Sequence, residues 1–246
     1  MYDVTSYPLR DLTACSAALR KMSTGRRLED AAQAIVMHLY EELRDGRENT
    51  RICALARFFA TRPFGSLDEE LRLRARRLLG NVPPSSQMRC LVLMGSAGMR
   101  PEWNDRDASV AHRVIPLPSA AMVQRSPMIS QLIRQFGLEP ATVVEVDPSL
   151  LVDLEQKSYN VFHVPVARNS PYVPAQTEFV VPYGIRSVIG FGGMLPSGNL
   201  FAVILFTKVP IPRETADLFR PLALSVKLAI LPFDSGMENS GPSTSQ

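Results

Sequence analysis

Apolar residues recur along this chain with two periods, and the changes between them mark out its elements. Residues 187–191 and 200–206 are rich in Val, Ile, Leu and Phe, with Leu195-Pro196-Ser197-Gly198-Asn199 between them as turn chemistry, which predicts a buried hairpin. Pro210 and Pro212 then stop the sheet, and Arg213-Glu214-Thr215 opens a run with Ala216, Leu218, Phe219, Leu222, Ala223, Val226, Leu228, Ala229 and Ile230 near helical spacing. Pro221 inside that run predicts a break after Phe219, or a helix restarted with Pro221 in its first turn.

The same reading applied upstream predicts a helix over 11–22 and a second over 26–45, with Leu28, Ala31, Ile35, His38, Leu39 and Leu43 on one side and Thr24 as its N-cap. Residues 51–59 read as the first long strand, 66–79 as a helix announced by a Ser66/Glu69 capping box, and 88–94 as another strand. The stretch 95–178 is loop-rich, with a short helix at 119–124 and a better one at 126–136, where Pro127 takes the first position and Gly137 stops it. Within it, 142–146 reads as a short strand and 148–155 as a helical turn. The segment 234–246 is small and polar and is expected to be disordered. The expected organisation is an extension at 1–10, one domain over 11–233 and a tail at 234–246.

Composition narrows the function classes. The 246 residues are 46% hydrophobic and 21% charged, which excludes disorder throughout. A net charge of +3, from 27 basic and 24 acidic residues spread along the chain, gives no nucleic-acid footprint. Arg72, Arg74, Arg76 and Arg77 follow Asp68-Glu69-Glu70 on one predicted helix, a pattern that complements the helix dipole. Cys15, Cys53 and Cys90 have no metal-ligand spacing, no signal peptide is evident and no apolar run reaches membrane-spanning length, so a cytoplasmic, reduced protein outside the membrane is expected.

Several residues are candidates for chemistry. Trp103-Asn104-Asp105-Arg106 combines a lone Trp with amide, carboxylate and guanidinium groups; it reads either as a polar-ligand reader, with Trp103, Asn104 and Arg106 in contact, or as a loop locked by packing. His112 and His163, in the loop-rich middle, are either structural or the axial ligand of a haem; His38 reads as packing. Tyr172, Glu178 and Phe191 complete the set of expected ligand contacts. Gly190-Phe191-Gly192-Gly193 lacks the spacing of a phosphate loop and points to a bulge or a close backbone approach. Glu102, Asp105 and Asp107 lack calcium-loop spacing, and no nucleophile, base and orienter assemble, so no metal and no catalysis are expected.

The order of elements resembles the GAF domain, a small-molecule sensor family. The specific part of the likeness is Ile185-Arg186-Ser187-Val188-Ile189, the hairpin after it, and the helix opening with Glu214, Asp217 and Leu218. The segments PEWNDR, IPLPS, YNVFHVP and EFVVPYGIRSV are similar to amino-terminal input regions of bacterial histidine kinases. The resemblance implies an α/β (α+β) fold: a central antiparallel sheet of about six strands, terminal helices packed on one face and a loop-rich ligand pocket on the other. It also implies homodimerisation through those terminal helices and a non-enzymatic signalling role on a histidine kinase or other effector. The alternative is a dimerisation scaffold without ligand. The chain lacks a recognisable bilin-attachment cysteine and the cyclic-nucleotide motif of the family, so neither cofactor carries over and the ligand stays open. A relative acting on oxidised methionine would need clustered reactive cysteines at the pocket.

Overall fold

The structure, a computed structural model, describes residues 1–23, 25–109, 112–146 and 160–234. The expected Thr24 cap, the turn at 148–155 and the tail from 235 lie outside them. In chain order the elements are β1 (Tyr2–Asp3), α1 (Leu9–Arg20), α2 (Leu28–Glu42), β2 (Leu43–Arg44), β3 (Cys53–Pro63), α3 (Glu69–Leu79), β4 (Arg89–Gly98) and β5 (Val114–Leu117). They continue with α4 (Ala120–Gln124), α5 (Pro127–Gln135), α6 (Pro140–Val144), β6 (Val161–Val164), β7 (Ser187–Met194), β8 (Leu200–Thr207), α7 (Arg213–Asp217) and α8 (Arg220–Ile230). A six-stranded sheet in the order β5-β4-β3-β8-β7-β6, antiparallel throughout, makes this an α+β architecture; β1 and β2 form a separate parallel pair.

The predicted hairpin is β7–β8, paired from Ser187↔Thr207 to Met194↔Leu200 with no shift in register. Its apolar run is unbroken because both faces of the sheet are covered. Phe201, Val203 and Leu205 of β8 face the helices, whereas Leu200, Ala202, Ile204 and Phe206 enter a second core on the opposite side.

On the helical face, α1, α2 and α8 cover the sheet, and α1 packs on α8 with a buried hydrogen bond of 2.7 Å between the Ser16 and Ser225 hydroxyls. Helix α2 comes closest. The pairing shifts between Phe58 and Phe59 of β3, which face Gly95 and Leu93, so β4 carries one extra residue there. Met94 and Gly95 both turn to the helices, and a Cβ on Gly95 would stand 2.7 Å from the Ala32 carbonyl carbon and oxygen. The small residues Ala31, Ala32 and Gly95 thus set the distance between α2 and the sheet.

Several local expectations change. The cap of α3 is Asp68, whose side chain accepts from Leu71 N at 2.8 Å; Ser66 instead ends a 3₁₀ turn, Phe64–Ser66, and donates to the Pro63 carbonyl. The apolar run expected to be a strand at 142–146 is α6, because Pro140 starts a helical turn there and Val143 is buried in the second core. The segment 95–178 also supplies both edge strands, β5 and β6, and β4 runs on to Gly98. Pro221 does restart the helix: α7 ends at Asp217 and α8 opens at Arg220 with Pro221 in its first turn.

The close approach at Gly95 gives a stability test. Gly95→Ala is expected to destabilise the fold by about 1–3 kcal/mol through overpacking against the α2 backbone, read as a lower urea midpoint at unchanged slope.

Candidate functional site

On the face away from α1, α2 and α8 lies a cavity of about 980 Å³. That is near the top of the range of roughly 300–1,000 Å³ typical of small-molecule sites. Alternate residues of the central strands form its floor: Leu55, Arg57 and Phe59 from β3, and Leu200, Ala202, Ile204 and Phe206 from β8. The roof comes from α5 (Met128, Ile129, Leu132, Ile133), Val143 of α6, and the segment 171–183.

The roof segment is held by its own polar contacts. Gln176 accepts from Asn169 N at 2.8 Å and donates to the Ala167 and Val173 carbonyls at 3.0 and 2.7 Å. Ala175, with φ +57°, leads into a π-helical turn, Gln176–Val180, that carries Glu178 and Phe179 to the cavity. Trp103 closes this end. Its ring lies edge-on to Tyr183 and Phe179, centroids 4.6 and 5.7 Å away, and Phe179 meets Phe206 of the floor at 5.0 Å. Arg100 donates to the Tyr183 hydroxyl at 3.0 Å from outside.

Among the described residues the charged lining is mainly cationic. Arg57 stands in the middle of the floor, opposite Ser96 on one side and Ile204 on the other. Its Nη2 donates to the Ser109 hydroxyl at 3.1 Å, and burial lowers its pKa to about 10, so it stays charged at neutral pH. Arg113 spans Glu70 and Asp107 at 2.5 and 2.7 Å, which neutralises it and ties α3 to the start of β5. Arg74, Arg77 and Arg125 line the rim, with Arg74 also paired to Glu70 at 3.1 Å. Glu178 is the lining carboxylate among the described residues.

Of the residues singled out in the sequence, Trp103, His112 and Glu178 line this cavity. Asn104 is a fastener: its side chain accepts from Gly98 N at 2.9 Å and donates to the Arg100 carbonyl, and its own carbonyl accepts from Gln33. Arg106 pairs with Glu29 of α2 at 3.5 Å. His163 lies on the helical side, where its Nε2–H donates to the Ile211 carbonyl at 2.8 Å, and His38 packs against Tyr2. Phe191 is buried in the helical core beside Phe219, and Tyr172 is exposed in the 171–183 segment outside the lining. Gly192 marks a close approach rather than a bulge, since a Cβ there would meet the Phe201 carbonyl oxygen at 2.0 Å and the Phe136 ring at 2.9 Å. Arg57 was not among the candidates, and its signal was a cation in the middle of the apolar run from Cys53 to Ala60.

Among the described residues no group of three or more His, Cys, Asp or Glu side chains is placed to hold a metal ion, and no helix is long and apolar enough to cross a membrane. Cys15, Cys53 and Cys90 are free and buried in the helical core, with burial raising each pKa to about 12. All three are expected to resist Ellman's reagent in the native protein and to react fully in guanidinium.

Burial first of all lowers the pKa of His38, His112 and His163; at His112 the Arg57 charge adds to it. A histidine kept neutral by folding stabilises the protein above its unfolded pKa, and that stability is lost as pH falls below about 6.5. The urea midpoint should therefore drop between about pH 7.5 and about pH 5.5, with a smaller drop in His163→Gln.

No protein-family model matches the chain, and a search of the curated proteins found no similar one.

Proposed function

We propose that this chain is a non-catalytic sensor domain of the GAF type, which binds a small molecule in the cavity and signals through its terminal helices to an effector such as a histidine kinase. The observation that carries the reading is the cavity of about 980 Å³, apolar in most of its lining and separated by the sheet from α1 and α8. The antiparallel six-stranded sheet, with helices on one face and irregular segments over the other, agrees with the architecture that the sequence resemblance implies. The cytoplasm is the compartment proposed for it.

A ligand between floor and roof would bury the faces of α5 and of 171–183 that now border open space. It would thereby favour one arrangement of the sheet and of the helices behind it. Signalling requires that the two arrangements differ in ligand affinity.

A second role, homodimerisation, rests on α8. Leu224 and Leu228, four residues apart, are 51% and 46% exposed, whereas Leu222, Val226 and Ile230 are buried. The sequence periodicity assigns Leu228 to the core, but it stands on the outer side. These two leucines would form the centre of a helix-to-helix contact between copies.

Two measurements separate the roles. Nile red, a neutral apolar dye, should bind the wild-type protein and quench Trp103, the single tryptophan of the chain and part of the lining. Ala202→Phe should abolish that response without lowering the melting temperature, since the added ring fills open space. Leu224→Glu with Leu228→Glu should convert a dimer to a monomer in sedimentation velocity while dye binding persists. A dimer that ignores the dye would leave only the scaffold role.

A further inference from the structure

Resting on the sensor reading, we propose that the cavity takes an uncharged molecule whose surface is mostly hydrocarbon. The body follows from the lining. Leu55, Ile204 and Phe206 of the floor and Ile129, Leu132 and Val143 of the roof carry no hydrogen-bonding side chain. A polar group laid against them is stripped of water and gains no partner, whereas hydrocarbon is favoured there in proportion to the area it buries. The volume of about 980 Å³ gives room for such a body at the upper end of small-molecule size.

The absence of charge follows from the ionisable side chains of the lining, which among the described residues are served already by the protein or by water. Arg113 spans Glu70 and Asp107 at 2.5 and 2.7 Å, and Arg74 shares Glu70 at 3.1 Å. Arg57 is held by the protein's own groups, the Ser109 hydroxyl at 3.1 Å among them. Arg77, Arg125 and Glu178 are exposed, so water solvates their charges. Burial, with the Arg57 charge added, lowers the pKa of His112 and leaves it neutral at pH 7.

The excess of arginine in the lining therefore does not select acids. An anion seeking Arg113 or Arg57 would have to displace Glu70, Asp107 or Ser109 from them. A carboxylate or an ammonium group carried between floor and roof would give up its hydration without an equivalent return. A neutral molecule meets no such cost and leaves every one of these pairs intact.

The test compares matched ligands on the full chain at pH 7: 2-anthracenemethanol, 2-anthroate and 2-(aminomethyl)anthracene, and dodecanol, dodecanoate and dodecylamine below their aggregation limits. The anthracenes are read by energy transfer from Trp103, the single tryptophan, and the aliphatic series by displacement of Nile red. In both series the alcohol should bind about tenfold or more tightly than its acid and its amine, the penalty expected for taking a charge out of water. Ala202→Phe should abolish binding of the alcohols. The wild-type comparison needs no variant, so a misfolded Ala202→Phe protein leaves it intact. An acid or amine that binds as tightly as its alcohol, and is lost in Ala202→Phe, would overturn the neutral assignment and leave the cavity as a ligand site. Failure of every ligand and of Nile red, or alcohol binding that persists in folded Ala202→Phe, would overturn the neutral assignment and the sensor reading together.

Discussion

One constraint governs this molecule: its sheet is apolar on both faces, so both must be covered, and the chain covers them by different means. Strand β8 shows the demand most plainly, with Phe201, Val203 and Leu205 on one side and Leu200, Ala202, Ile204 and Phe206 on the other. A single layer of helices satisfies only half of it.

The helical side is solved by close packing. Ala31 and Ala32 on α2 and Gly95 on the bulged part of β4 remove the side-chain bulk that would hold helix and sheet apart, and α1 and α8 close the layer with the Ser16–Ser225 hydrogen bond. The opposite side is covered by elements too short to tile it. Helices α4 and α6 have five residues each and α5 has nine, and among the described residues the other roof segment, 171–183, is largely irregular chain fastened by Gln176. Such pieces seal their ends, with Phe136 against Gly192 and the Trp103–Tyr183–Phe179 cluster against Phe206, and they leave the middle open. Among the described residues the cavity thus lies between a floor of strands and a roof of short helices and irregular chain.

Much of this was legible in local chemistry. The β7–β8 hairpin, α5 with Pro127 in its first turn, and the break before Pro221 all follow from turn residues and from proline, whose effects need no distant partner. The edge strands β5 and β6, four residues each, were not legible: neither Val-Ile-Pro-Leu nor Val-Phe-His-Val carries a period long enough to read, and each is a strand because a neighbour offers it hydrogen bonds. The strand expected at 142–146 failed for the complementary reason, since α6 has no such neighbour and Pro140 favoured a turn.

The sequence by itself determined the long helices, the long strands and the antiparallel hairpin, because these depend on periodicity and backbone propensity within a few residues. Tertiary structure alone decided which side chains share a site. Trp103, His112 and Glu178 reach the cavity, while His163 and Phe191, equally apt by type, fall on the helical side because strand alternation points them there. Arg57 became a floor residue by the same rule: the register of β3 with β4 and β8 fixes its face, and register is set by pairings between residues far apart in the chain.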